Sequence, residues 1–123
     1  MVKKTFFALF CLLAVGCSEG QSTVAPSPTP NGGYHLIFFL NPNGGPCLMQ
    51  ERILAGMRNE LQGKITVRYV KTTVEDDIPV FGRYGIRGLP SLVLVDASGK
   101  ELKRLPPGVK SVEEIRGLIQ ATQ

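Results

Sequence analysis

The sequence predicts an α/β domain with four strands, in the order β-α-β-α-β-β-α. Three observations carry this. His35-Leu36-Ile37-Phe38-Phe39-Leu40 is a continuous apolar run, as expected of a strand buried on both faces. Leu54, Met57 and Leu61 recur at helical spacing, with Ile53 and Cys47 on adjoining positions, before a β-branched run at Ile65–Val70. Two short runs, Leu92–Val95 and Glu101–Leu105, flank Asp96-Ala97-Ser98-Gly99 and read as a hairpin.

The elements follow in order. After the first strand, Asn-Pro-Asn-Gly-Gly is a turn, and Pro46 suits the first position of a helix. Glu51, Arg52, Arg58 and Glu60 take the wet side of that helix, Met49 and Met57 read as core filler, and Gly63 is expected to end it. Residues 75–84 form a short helix whose acidic first turn, Glu75-Asp76-Asp77, suits its positive end. Ser111-x-x-Glu114 is a capping box opening a last helix, with Val112, Ile115, Leu118 and Ile119 inward.

Residues 1–16 read as a processing segment. Lys3 and Lys4 precede an apolar stretch, Thr5–Val15, too short to span a bilayer. Ala14-Val15-Gly16-Cys17 resembles a bacterial lipoprotein signal, which implies Cys17 as the lipid attachment site. Residues 17–33 then form a tether rich in Pro, Ser and Thr, reaching about 50 Å when stretched. The globular domain is expected over 34–123. The implied location is the bacterial envelope, facing the periplasm, with the outer membrane favoured by Ser18.

Of the net charge of +4, two units belong to Lys3 and Lys4, and the remaining charges are interleaved by sign. That balance argues against nucleic acid as a partner. Gly44-Gly45 is followed by no Lys-Ser/Thr pair, so it is no phosphate cradle. One histidine, His35, and one distant cysteine cannot supply a metal site, and no cofactor is expected. The three cysteines divide into Cys11 in the signal, Cys17 for lipid and Cys47 as the only free thiol. The domain is expected to be monomeric.

Asn43-Gly44-Gly45-Pro46-Cys47 is the most telling stretch. A dithiol oxidoreductase uses Cys-x-x-Cys at the start of a helix, the first thiolate attacking and the second resolving the mixed disulfide. Here Gly44 stands at the first position. Together with Gly45-Pro46-Cys47-Leu48-Met49, the run Tyr84-Gly85-Ile86-Arg87-Gly88-Leu89-Pro90-Ser91 and the strand after it resemble the thioredoxin-like family. Gly108 and the Ser111–Ala121 segment extend the resemblance over roughly residues 35–121.

The resemblance implies a thioredoxin-like fold with a minimal core and a four-stranded mixed sheet. It implies a cis bond before Pro90 and a groove for extended polypeptide, with Gly45, Pro46, Leu89 and Pro90 as substrate-binding candidates and Ser91 beside them. It makes Cys47 the candidate catalytic residue, limited to single-thiol chemistry. The departures are concentrated in the dithiol mechanism: Gly44 for the attacking cysteine, Asn43 for tryptophan, and Phe38 for the buried aspartate. Partners are then an extended polypeptide or thiol-containing client, and a membrane through the lipid. The alternative is a redox-silent binding module on the same scaffold. The helix start favours a Cys47 thiolate and burial opposes it, while glycine at 44 is expected to leave the sulfur partly accessible.

Overall fold

The computed structural model describes residues 33–122, so the signal, Cys17 and the tether up to Gly32 lie outside the described residues. Strand β1, His35–Leu40, is central, with five of its six residues buried. It pairs in parallel with β2, Thr66–Lys71, and antiparallel with β3, Ser91–Val95, which pairs antiparallel with β4, Glu101–Arg104. The order β2-β1-β3-β4 is a four-stranded mixed sheet, as expected.

Both sheet faces are covered, which is why β1 carries no polar alternation. Leu36, Phe38 and Leu40 face one way, with Leu92 and Leu94 of β3. Over them pack α1, Gly45–Gly56, through Cys47 and Leu54, and α4, Val112–Gln120, through Ile115, Leu118 and Ile119. Ile37, Phe39, Val93 and Val95 face the other way, against Val80 of α3, Ile78–Arg83, and Tyr84. The Phe39 ring meets Phe81 and Tyr84 edge-on, at centroid distances of 5.2 and 5.8 Å. Among the described residues no helix is long and apolar enough to cross a membrane.

Three boundaries differ from expectation. The helix expected to run to Gly63 breaks at Met57, whose N–H is shared between the carbonyls of Ile53 (3.2 Å) and Leu54 (3.1 Å). A separate turn, α2 (Arg58–Leu61), follows. The segment 75–84 opens as a 3₁₀ turn, Glu75–Asp77, before α3. Asp77 there does more than favour a helix start: its Oδ2 accepts the Lys71 N–H at 2.8 Å and closes the end of β2. Gly33, assigned to the tether, is buried at φ 78, and a Cβ on it would lie 2.7 Å from Ala97 Cβ. It belongs to the folded body.

The capping box forms. Ser111 Oγ accepts the Glu114 N–H at 3.2 Å, and Glu114 Oε2 accepts the Ser111 N–H at 2.8 Å. In the hairpin turn, Asp96 Oδ1 accepts from the backbone of Ser98 (2.9 Å) and Lys100 (3.0 Å), leaving Gly99 at φ 86.

Candidate functional site

The loop after β1 sets the thiol. Asn41 Oδ1 accepts the Asn43 N–H (3.0 Å) and the Asn41 carbonyl accepts the Gly44 N–H (2.9 Å), a tight turn closed by its own side chain. Gly44 caps α1 at φ −87, ψ 128, ordinary extended backbone. A Cβ there would sit 3.4 Å from the Asn41 carbonyl oxygen and 3.6 Å from Cys47 Sγ, both tolerable contacts. The turn therefore has no need of glycine at 44.

Cys47 is only 3% exposed, and its Sγ accepts the Asn41 N–H at 3.3 Å. The expectation that Gly44 leaves the sulfur partly accessible does not hold. The turn folds the Asn41 backbone over the sulfur, and the helical stripe directs it inward, into the cluster containing Phe38. Phe38 is fully buried, so the nearby strand presents a ring where the resemblance puts an acid. Cys47 is the one cysteine among the described residues, and no group of potential metal ligands occurs among them.

Around the buried sulfur the start of α1 is open. Gly45 and Pro46 are exposed, Leu48 is 39% exposed and Met49 is 55% exposed. Reading Met49 as core filler was mistaken. It lies two residues from Cys47, about 200° around the helix, whereas Met57 is on the buried stripe.

The second half of the site comes from the start of β3. Phe39 pairs with Ser91, which places Pro90 across from Leu40, at the sheet end where the Asn41–Gly44 turn begins. The Leu89–Pro90 peptide bond is cis. Leu89 is half-buried and packs against both core clusters, Pro90 is buried, and Arg87 is exposed. Ser91 does not flank a groove. It is 5% exposed and its hydroxyl donates to the Gly88 carbonyl at 2.6 Å, closing the turn from within. The Pro90 carbonyl accepts the Gly108 N–H at 2.9 Å.

One residue at this site was missed. Gln50 is fully buried and its carboxamide bonds twice to the backbone of Lys110. The signal was present: Cys47, Gln50, Leu54, Met57 and Leu61 recur at intervals of three and four, and Gln50 is the polar member of that stripe.

Burial, then the charge of Glu51, pushes the Tyr69 phenol up. The Ser98 hydroxyl, then the Lys100 N–H, holds Asp96 below the usual carboxylate range. A cleft floored by Met57, Leu61 and Ile119 lies past the end of α1, away from Cys47, and its rim charges, Glu60 and Arg116, pair with each other at 2.5 Å. It offers no chemistry to the thiol.

No family model matches the chain. It is 30% identical over 84 residues to thioredoxin of Haemophilus influenzae, covering 68% of this chain and 73% of that protein. It is 32% identical over 65 residues to thioredoxin 1 of Nostoc sp., covering 53% of this chain and 59% of that relative. The X-ray structure of Fasciola hepatica thioredoxin superposes with a TM-score of 0.61 at 19% identity, over 76% of this chain and 85% of that one, a likeness of fold.

Proposed function

The chain belongs to the thioredoxin family, and from that premise we propose that it is an envelope-tethered member that binds extended polypeptide beside Pro90. Cys47, the one thiol among the described residues, is held back in the core. The observation carrying this reading is a contrast at one end of the sheet. The sulfur is 3% exposed, while Gly45, Pro46, Leu48 and Met49 are open to solvent and Leu89 is half-open. Apolar side chains at a sheet end suit the alternate side chains of an extended client. The tether is supported by the Lys3-Lys4 and Thr5–Val15 pattern running into Cys17, and by the Pro-rich segment after it.

The test is binding of a fluorescent, S-carboxymethylated and so permanently unfolded lactalbumin, followed by anisotropy. Leu89→Asp should weaken binding by about tenfold or more, and Cys47→Ala should leave it unchanged. Absence of binding by the wild type ends this reading. Cys17→Ala should release the full-length protein from membranes of its host; a variant that stays bound removes the lipid anchor.

The Asn41 N–H aimed at Sγ favours a second reading, single-thiol exchange. The Cys47 thiolate would attack a client disulfide, form a mixed disulfide and release the client's other sulfur as thiolate. An external thiolate must then attack the client sulfur of that mixed disulfide, taking the place of Cys47 in it and releasing Cys47 as thiolate.

A further inference from the structure

Gln50 lies on α1 one turn beyond Cys47, fully buried. Lys110, sixty residues away, donates its N–H to Gln50 Oε1 at 2.6 Å, and Gln50 Nε2 donates to the Lys110 carbonyl at 3.2 Å. Lys110 belongs to the segment joining β4 to α4. Two residues earlier the Gly108 N–H holds the Pro90 carbonyl, and Pro107 presses on Gly88, where a Cβ would come within 2.8 Å of Pro107 Cβ. Gly108 takes φ 120, which bends the segment between its two attachments. Residues 107–110 are therefore a strap, fastened on one side to the Cys47 helix and on the other to the turn at 88–90.

We infer that Gln50 is a positioning residue for the polypeptide site: through the strap it fixes the Pro90 turn relative to the start of α1. The role in binding rests on the function proposed above. The chemistry selects this side chain. A primary amide offers a donor and an acceptor side by side, matching the C=O and N–H of one backbone residue. Leucine would offer neither Lys110 group a partner. An ionised glutamate has no donor and would face the Lys110 carbonyl with a second acceptor. A protonated glutamate restores the donor.

The test is amide exchange of Gly108 in the full-length chain, with β1 amides as the internal reference. Gln50→Leu should lower Gly108 protection by about tenfold while β1 protection holds. Gln50→Glu should keep wild-type protection at about pH 5, where the carboxyl is protonated, and lose it as the pH is raised through the glutamate's pKa, which burial lifts above its ordinary value. Affinity for the unfolded lactalbumin should follow the same pH pattern in Gln50→Glu and not in the wild type. Gly108 protection unchanged in Gln50→Leu, or unchanged in Gln50→Glu across the pH series, or a loss shared equally by β1, overturns the inference. So does lost protection with unaltered affinity. Should Gln50→Leu not fold, Gln50→Glu carries the test through its low-pH recovery. A wild type that binds no polypeptide defeats the proposed function, whereas the strap itself still stands or falls on Gly108 exchange.

Discussion

The two halves of the site are built on opposite plans. At the start of α1, the reactive atom is withdrawn: Cys47 is 3% exposed, its sulfur capped by the Asn41 N–H and backed by apolar side chains. At the start of β3, the turn is presented and braced: Leu89 is half-open, Ser91 ties the turn to Gly88, and Gly108 holds the Pro90 carbonyl. A braced turn beside a covered Cys47 is the arrangement that the polypeptide-holding function proposed above calls for. The contrast also shows that a glycine at the rim need not open a site. Glycine at 44 removes atoms from the rim, yet the backbone of the turn covers the sulfur.

The harshest way to break the comparison is to wet the closed half. Phe38→Asp removes a fully buried ring and puts a carboxylate into the Cys47 cluster. It should cost about 3 kcal/mol or more in urea unfolding. A loss below about 1 kcal/mol would mean that the region beside Cys47 is not dry.

Gly44→Cys rebuilds the missing thiol. The backbone at 44 accepts a side chain, and its Cβ would lie 3.6 Å from Cys47 Sγ, within reach of a disulfide after small adjustment. Oxidised protein should be lighter by two hydrogens in intact mass. Insulin-disulfide reduction should rise above wild type, which should not exceed a Cys47→Ser control. Failure to form the bridge would show that Cys47 points away from the position of residue 44.

Much of this was legible in the sequence, and the failures share a cause. The β1 run, the hairpin and the Ser111–Glu114 box are local signals, and each sits where it was expected within a residue or so. The break at Met57 was invisible because Leu54, Met57 and Leu61 keep their spacing across it, so the apolar period does not register the lost turn. Ser91 and Gln50 were misjudged or missed because their roles depend on partners: a carbonyl three residues back, and a backbone sixty residues away. The accessibility of Cys47 depended on a turn whose path over the sulfur is set by Asn41, and composition carries no record of that path.

A milder change sharpens the comparison by leaving both halves alone. Ser111→Ala removes the α4 cap and should cost about 1 kcal/mol without altering polypeptide affinity. Glu114 is held below the usual carboxylate range, first by the Ser111 N–H. A depressed folded value contributes stability that is complete above the unfolded pKa, ~4.3, and is lost as pH falls through the lower folded value. Acid unfolding of Glu114→Gln, which removes the titrating carboxyl, should therefore show a shallower dependence on pH below ~4.3 than the wild type, whereas Ser111→Ala keeps the backbone N–H and most of that dependence. An acid limb in Glu114→Gln identical to the wild type's would remove the capping box from the account.

The most direct test of the withheld thiol is native-state alkylation. Full-length protein with Cys17 and Cys11 changed to alanine is treated with iodoacetamide near neutral pH, and intact mass is followed with and without denaturant. Cys47 should stay unmodified in the native protein and be labelled completely once unfolded. Native labelling as fast as that of a free cysteine would contradict the account and return the site to single-thiol chemistry.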